Sequence, residues 1–382
     1  MRDLFLLDPD LVFLNHGSFG ACPREVLDDQ RRWQLEMERN PVDFLGRRSA
    51  DLLMQARTAL GAALGARGED LVFMPNSTTG VNVVAQSFAL QPGDEVLTTD
   101  LEYGACDAAW RHVCARHGAR YQRVAIPLPY EPEAVVERLM SSAGPRTRLI
   151  YLSHVTSTTA LILPVAALCA EARKRGIATL VDGAHAPGQI DLDLDAIGAD
   201  FYVGNCHKWM CAPKGSAFLH ARAERQATLD APVISWGYAE GTAGHSGFDA
   251  YLGRTPFERS MQWQGTRDIS AWLAVPEALR FQQRHDWPSV RQRCHELAAH
   301  ALQTLTQRHG LSPIAKPSDW AQMVAIPVPA QDPEALRRHL SEEGRIEIPV
   351  TTHGGHVFVR VSVQGYNTLA DIEHLLAAPA LQ

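Results

Sequence analysis

Between about residue 70 and residue 220, short apolar runs alternate with amphipathic stretches. The runs "LVFMP", "DEVLTT", "RLIYLSH", "IATLVD", "DFYVG" and "GSAFLH" have the length and the Val, Ile, Leu and aromatic content of strands. Between them, "ACDAAWRHVCARHG" and "VAALCAEARKRG" have helical spacing, and the second ends in basic residues and glycine as a helix C-terminus does. This alternation predicts an α/β fold whose sheet is mostly parallel.

The flanking regions have a different texture. Upstream, "CPREVLDDQRRWQLEMERNP" predicts a long helix between two prolines. After about Gly265, two long helical stretches, "AWLAVPEALRFQQRH" and "SVRQRCHELAAHALQTLTQRHG", precede "AQMVAIPV", a helix near Glu334 to Glu343, "RIEIPV" and "HVFVRVSV". This α+β pattern predicts a smaller second domain. We therefore expect an N-terminal arm of residues 1–22 that associates with the small domain, a large domain of residues 23–264 and a small domain of residues 265–382.

Composition narrows the function classes. The net charge is -7, from 36 basic and 43 acidic residues, which argues against a nucleic-acid or anionic-membrane surface. The 7 cysteines are odd in number and form no CxxC pair, so they predict reduced thiols in a cytoplasmic protein. The opening residues lack a signal-peptide pattern, and no apolar run approaches a membrane span. His353 and His356 form an HxxH without a third ligand nearby, so no metal is expected.

Polar residues follow several predicted strands, where ligands of open α/β sheets bind. Ser77, Thr78 and Thr79 come after "LVFMP" at a helix start, where they either cap the helix or bind a phosphate. Asp182 ends "IATLVD", where it either closes the turn with Gly183 or pairs with a cationic ligand atom. We favour the second interpretation of Asp182, because a buried carboxylate is costly without a partner.

Lys208 follows the next strand, "DFYVG". A surface lysine fits poorly between that strand and the turn "APKG". A phosphate-binding helix start, a buried aspartate and a strand-end lysine, in this order, meet the needs of pyridoxal phosphate. The lysine forms the Schiff base, the aspartate keeps the pyridine nitrogen protonated, and the helix start takes the phosphate.

Six motifs carry a family resemblance over nearly the whole chain: "LNHGSFG", "NSTTGVN", "DGAHAPG", "GNCHKWMCAPKG", "QGTRD" and "VRVSVQGYNT". With these motifs the chain resembles the class-V aminotransferase family of fold-type-I pyridoxal-phosphate enzymes, and is most similar to its isopenicillin N epimerase-like branch. The resemblance implies a large domain with a mostly parallel seven-stranded sheet flanked by helices, a small α+β domain, and a homodimer with shared active sites.

The resemblance also implies residue roles. Lys208, Asp182 and His185 would be catalytic, with His185 near the phenolic oxygen of the cofactor. The remaining cofactor contacts would be Ser77, Thr78, Tyr103, Ser157, Asn205, His207, Gly265 and Thr266. Tyr103 would stack on the pyridine ring, and Gly265 with Thr266 would reach the phosphate of the neighbouring subunit. Asn15, His16 and Arg360 would bind the substrate, with Arg360 holding its α-carboxylate.

The implied activity is chemistry at Cα or Cβ of an amino acid with a free α-carboxylate, by epimerisation or by C–S cleavage and β-elimination. An aminotransferase and a non-catalytic pyridoxal-phosphate-binding protein are the alternatives.

The sequence departs from the pattern of cysteine desulfurases, which belong to the same family, at two places. "RIEIPVTTHGGHVFVR" has no cysteine before the arginine, which argues against a persulfide-forming cysteine desulfurase. Ser157 stands where desulfurases usually have an asparagine near the phenolic oxygen.

Overall fold

In the computed structural model, residues 1–238 and 253–382 are described. The strands of these residues are β1 (Val12–Phe13), β2 (Leu71–Met74), β3 (Glu95–Thr99), β4 (Arg120–Val124), β5 (Thr147–Ser153), β6 (Ala178–Gly183), β7 (Phe201–Asn205), β8 (Ala217–Ala221), β9 (Met323–Val328), β10 (Ile346–Glu347), β11 (Val350–His353) and β12 (His356–Ser362). The helices are α1 (His16–Phe19), α2 (Arg24–Arg39), α3 (Pro41–Asp43), α4 (Ser49–Leu64), α5 (Ser77–Ser87), α6 (Gly104–His117), α7 (Pro132–Ser142), α8 (Val165–Lys174), α9 (Leu194–Ile197), α10 (Ala223–Gln226), α11 (Pro256–Gln262), α12 (Ser270–Leu273), α13 (Val275–Arg284), α14 (Trp287–His309), α15 (Pro333–Arg338) and α16 (Leu369–Ala377).

A seven-stranded sheet in the order β2-β8-β7-β6-β5-β3-β4 confirms the predicted α/β fold. Strands β4, β3, β5, β6 and β7 run parallel, while β8 is antiparallel to both β7 and β2. The strands predicted from apolar runs are buried along their length or nearly so. Strand β4, "RYQRV", has no apolar run because it lies at the edge of the sheet with its side chains partly or fully exposed.

The register of the sheet brings the functional strand ends together. Ser153 at the end of β5 lies opposite Asp182 near the end of β6. Asn205 ends β7 opposite Ala217, which also lies opposite Met74 at the end of β2. The carboxyl ends of these parallel strands therefore meet at one edge of the sheet, where α5 begins.

The C-terminal part contains a three-stranded antiparallel sheet in the order β11-β12-β9. The N-terminal segment joins this part, because β1 pairs with β10 and Asn15 forms a bridge to Ser362. The division into an arm of residues 1–22, a large domain and a small domain, with boundaries at residues 23 and 265, stays a prediction.

Two predicted helices differ in detail. The stretch "AWLAVPEALRFQQRH" forms two helices, α12 and α13, that meet at Ala274. Pro276 lies in the first turn of α13, where its missing N–H costs nothing but where it could not continue a preceding helix. The helix expected near Glu334 to Glu343 begins at Pro333 and passes into a π-helical turn at His339–Glu343. Among the described helices, none is long and apolar enough to cross a membrane.

Candidate active site

A cavity of about 360 Å³ opens at the carboxyl edge of the large sheet. Many of the residues predicted for the cofactor line it: Ser77, Thr78, Tyr103, Ser157, Asp182, His185, Asn205, His207 and Lys208. They come from separate strand ends and loops, and the parallel register is what brings them to one place. Ser18, Phe19 and Ser153 also line the cavity, and they were not among the residues predicted from the sequence.

Lys208 lies in the tight turn that follows β7, where its carbonyl oxygen accepts a hydrogen bond of 2.9 Å from the amide of Cys211. Its amine Nζ is 3.2 Å from Nε2 of His185. Burial, and next the positive charge of Arg360, lower the pKa of the Lys208 amine to about 7, although Asp182 opposes this shift. The amine is therefore available as a neutral nucleophile or base near neutral pH.

His185 is held in one protonation state. Its Nδ1 lies 3.3 Å from the indole nitrogen of Trp209, which can only donate. Nδ1 is therefore the acceptor, and the ring proton is on Nε2, which faces Lys208. Burial lowers the pKa of His185 well below its usual value, so the ring stays neutral. His185 can thus donate one hydrogen bond into the cavity, as its implied place near a phenolic oxygen requires.

Asp182 is only 3% exposed. One carboxylate oxygen accepts a hydrogen bond of 2.9 Å from the amide of Ala184, which closes the turn. The other accepts a hydrogen bond of 3.2 Å from the hydroxyl of Tyr151 and lies 3.6 Å from Sγ of Cys106. Burial raises the pKa of Asp182, and among the described residues no cation forms an ion pair with it. Asp182 therefore closes the turn and also lines the cavity, and its pairing with a cationic ligand atom stays a prediction.

Helix α5 meets the cavity with its N-terminus, and its cap is Asn76. The Asn76 side chain accepts a hydrogen bond of 2.8 Å from the amide of Thr79, while Asn205 accepts one of 2.9 Å from the amide of Ser77. The hydroxyl oxygen of Ser77 is buried and has no hydrogen-bond partner within the described residues. A buried polar atom of this kind, at the N-terminus of an 11-residue helix, fits the phosphate of pyridoxal phosphate.

His207 lies beside this helix start. Its Nδ1 donates a hydrogen bond of 2.8 Å to the carbonyl oxygen of Ser216, which leaves Nε2 as the remaining ring nitrogen. Burial lowers the pKa of His207 to about 4, so Nε2 carries no proton near neutral pH. A phosphate beside this ring would raise the pKa and favour a proton on Nε2.

The ring of Tyr103, at the N-terminal end of α6, is available for stacking because the residue is 47% exposed and lines the cavity.

The residue before Tyr103, Glu102, was not predicted from the sequence. Its carboxylate accepts hydrogen bonds from the amide and the hydroxyl of Ser153, at 2.7 and 2.6 Å, and from the hydroxyl of Thr99, at 2.6 Å. Glu102 therefore ties the ends of β3 and β5 together beneath the cavity.

Arg360, on β12, is 4% exposed and does not itself line the cavity, but it lies directly behind two residues that do, Ser18 and Ser157. One terminal nitrogen donates to the carbonyl and hydroxyl oxygens of Ser157, at 2.6 and 3.2 Å. The other donates to the hydroxyl of Ser18 at 3.1 Å and to the side-chain oxygen of Asn15 at 3.4 Å. All of these acceptors are neutral, and burial lowers the pKa of Arg360 to about 10. Since Ser157 holds this guanidinium, its hydroxyl is directed to Arg360.

The two predicted substrate contacts in the N-terminal segment have different places. Asn15 touches Arg360 and donates a hydrogen bond of 3.0 Å to the carboxylate of Glu347. His16 is completely buried and does not line the cavity. One ring nitrogen contacts Tyr366 and the other contacts Lys208, so neither is free for a direct contact with substrate. The less buried neighbours Ser18 and Phe19 face the cavity in its place.

Gly265 and Thr266 lie between α11 and α12 and do not line the cavity. Gly265 has a φ of +98°, a conformation that favours glycine, and Thr266 is exposed. Their implied contact with the phosphate of a neighbouring subunit stays a prediction.

The sequence and fold are similar to those of known proteins. The profile described as Aminotransferase class-V matches residues 13–375. Isopenicillin N epimerase from Streptomyces clavuligerus is 40% identical over 99% of this chain and 96% of its own length. A probable chloroplastic L-cysteine desulfhydrase from Arabidopsis thaliana is 31% identical over 96% of this chain and 82% of its own. A solved C-DES mutant, with glycine covalently linked to its PLP cofactor, superposes with a TM-score of 0.84 at 23% identity, covering 100% of this chain and 99% of that one.

The lowered pKa of Lys208 predicts an unusual pH dependence of its chemical labelling. In the cofactor-free protein, reaction of Lys208 with an amine reagent should persist down to about pH 7 and fall below it, because the amine becomes protonated there. Lys316 is the control, since its hydrogen bond with Glu131 raises its pKa, and its labelling should require a higher pH. Peptide mapping after labelling measures both. Equal profiles for the two lysines would contradict the geometry derived for Lys208.

Proposed function

Because the chain belongs to the class-V aminotransferase family of pyridoxal-phosphate-dependent enzymes, we propose that it acts at Cα or Cβ of an amino acid with a free α-carboxylate. The reaction is epimerisation at Cα or β-elimination with C–S cleavage. These are the activities for which the similar isopenicillin N epimerase and L-cysteine desulfhydrase are named.

The observation that carries this proposal is the buried guanidinium of Arg360. It is a cation bound only by neutral oxygens in the described residues, and two of its partners, Ser18 and Ser157, line the same cavity as Lys208 and Asp182. A cation in this state is best stabilised by an anion, and the planar fork of a guanidinium matches a carboxylate. A protein that only stored the cofactor would have no use for this second anion site.

The residues of the cavity would divide the work. Asp182 would hold the ring nitrogen of the cofactor protonated, His185 would donate a hydrogen bond to its phenolic oxygen, Tyr103 would cover its face, and Ser77 would bind its phosphate. When bound, pyridoxal phosphate withdraws electrons from the substrate Cα. Lys208 Nζ would then take the proton from Cα and return it, because it is the one amine directed into the cavity in the described part of the chain.

The fate of the Cα proton separates the candidate reactions. Return of the proton by Lys208 to the same face of Cα restores the substrate, whereas delivery of a proton from water or a second acid to the opposite face gives inversion. Departure of a sulfur group from Cβ after the proton is removed gives elimination. A persulfide-forming desulfurase is disfavoured because all seven cysteines are buried and burial raises the pKa of each thiol. Their reduced, unpaired state also supports a cytoplasmic location.

A product screen of the purified holoenzyme with amino acids tests this function. Borohydride should first fix pyridoxal phosphate to the peptide that contains Lys208, which establishes the site. Inversion at Cα would then identify an epimerase, and release of ketoacid with a sulfur product would identify a lyase. Fixation at Lys214, or formation of an amino-transferred product alone, would contradict the proposal.

We expect Arg360→Lys to weaken substrate binding and slow turnover, because lysine keeps the charge but loses the fork. Charged hydrogen bonds of this kind predict a loss of about 10- to 100-fold in kcat/KM. Steady-state kinetics measures the loss, and cofactor absorbance should show nearly normal loading. Arg345→Lys is the matched control, since Arg345 is exposed and bonded to the N-terminal segment. Unchanged kinetics in Arg360→Ala, or a preferred substrate without an α-carboxylate, would remove the amino-acid part of the proposal.

The active form is a homodimer with shared sites. Two exposed residues support this proposal. Thr266 does not line the cavity of its own subunit, and Phe19, which does line it, is 74% exposed, so both are accessible to a second subunit. Most soluble homo-oligomers have twofold symmetry, so each subunit would complete the site of the other.

Subunit mixing checks the shared site. A Lys208→Ala chain and a Gly265→Val/Thr266→Ala chain should each be inactive alone. After joint refolding, one hybrid site is intact in each mixed dimer, so about a quarter of the wild-type activity should return. Sedimentation gives the oligomeric state of each sample. A fully active monomer would rule out the shared site.

A further inference from the structure

The N-terminal segment of residues 15–20 lies directly against the backbone of Lys208. Gly20 has a φ of +72°, and a Cβ added there would lie 2.2 Å from the carbonyl oxygen of His207 and 2.9 Å from Cα of Lys208. The amine of Lys214 donates a hydrogen bond of 2.8 Å to the carbonyl oxygen of Gly20. The segment and the lysine turn are therefore in contact without intervening space.

His16 is at the centre of this contact and is 0% exposed. Its Nε2 is 3.0 Å from the carbonyl oxygen of Lys208, and its Nδ1 is 2.9 Å from the hydroxyl of Tyr366. A carbonyl only accepts, so Nε2 carries the proton and Nδ1 accepts from Tyr366. The side-chain amide nitrogen of Gln364 also lies 3.2 Å from Nε2, but because both nitrogens are donors in this tautomer, the contact is not a hydrogen bond. Burial lowers the pKa of His16 to about 3, so this neutral tautomer persists across the working pH range.

A second path leads from His16 to the amine of the same lysine. The His16 ring packs against the indole of Trp209, with ring centroids 5.0 Å apart. The indole nitrogen of Trp209 donates to His185 at 3.3 Å, and His185 Nε2 lies 3.2 Å from Nζ of Lys208. His16 thus touches the backbone of Lys208 and also supports the histidine that faces its amine.

We propose that His16 is a positioning residue for Lys208, which it holds through the hydrogen bond from Nε2 to the Lys208 carbonyl oxygen. Through Tyr366 it also connects this lysine to the C-terminal part of the chain. The inference rests on the proposed role of Lys208 but adds a residue that does not touch cofactor or substrate. Loss of the bond would loosen the Lys208 turn and admit water to its nitrogen, and hydration raises the pKa of a buried cationic nitrogen.

Two substitutions separate the two hydrogen bonds of His16. In His16→Gln, the side-chain amide nitrogen can replace Nε2 and keep the bond to Lys208, because glutamine has a longer side chain than asparagine. His16→Asn places its amide near Nδ1, so it keeps the Tyr366 side and loses Lys208. Tyr366→Phe removes only the hydroxyl and keeps Nε2 in place. His220→Gln is the control, since His220 is buried at the far end of β8.

The readout is a pH titration of the visible absorbance of the holoenzyme, together with kcat and the melting temperature. We expect His16→Asn to shift the titration midpoint upward by about half a pH unit and to lower kcat about three- to tenfold. His16→Gln and Tyr366→Phe should stay close to wild type in both the titration midpoint and kcat. His220→Gln should change at most the melting temperature. Equal effects of His16→Asn and His16→Gln on the midpoint would overturn the inference.

Hydrogen exchange of the wild-type protein tests the same point if His16→Asn does not fold. Peptides covering residues 20–27, none of which lines the cavity, should exchange more slowly in the holoenzyme than in the cofactor-free protein, because the segment and the Lys208 turn move as one unit. Equal exchange in the two states would overturn the inference. Failure of wild type to bind pyridoxal phosphate at Lys208 would instead contradict the proposed function.

Discussion

The site depends on the removal of water from ionisable groups at one edge of the large sheet. Asp182 and Arg360 are 3% and 4% exposed, and neither has an oppositely charged side chain bonded to it among the described residues. Burial therefore raises the pKa of the carboxyl and lowers the pKa of the guanidinium and of the Lys208 amine. A ligand that brings a cationic ring nitrogen and an anionic carboxylate would stabilise both buried groups in their charged forms.

Neutral hydrogen bonds keep these charges in place without neutralising them. Tyr151 and the amide of Ala184 hold Asp182, while Ser18 and Ser157 hold Arg360. A neutral hydrogen bond also fixes His185, because the indole of Trp209 donates to Nδ1 and so determines the tautomer of the ring. Because the holding groups carry no charge, the electrostatic attraction of each ionised group remains available to a ligand.

Much of this site could be predicted from the sequence, because the strand ends of a parallel sheet meet at one edge. That rule alone predicts that Ser77, Asp182 and Lys208 lie together, and the family motifs add residues such as Asn205. The rule does not identify residues that are buried behind the cavity lining and contact the lining residues instead of a ligand. His16 was expected to touch substrate, yet its ring is buried against Lys208 and Trp209.

Glu102 and strand β4 were missed for related reasons. Glu102 has no pattern of its own, and its partners Thr99 and Ser153 are distant from one another in sequence. Strand β4 lies at the sheet edge with charged, exposed residues, so it lacks an apolar run. Long-range pairing and edge position leave no local signal in the sequence.

The central claim is that Lys208 moves a proton at Cα of an amino acid. Incubation of the holoenzyme with amino acids in D2O, followed by NMR or mass spectrometry of the recovered substrate and product, measures this directly. The account predicts deuterium at Cα with wild-type protein, and none above background with Lys208→Ala loaded with the same cofactor. Turnover of an amino acid without deuterium at Cα of recovered substrate or inverted product, or exchange that persists in Lys208→Ala, would contradict it.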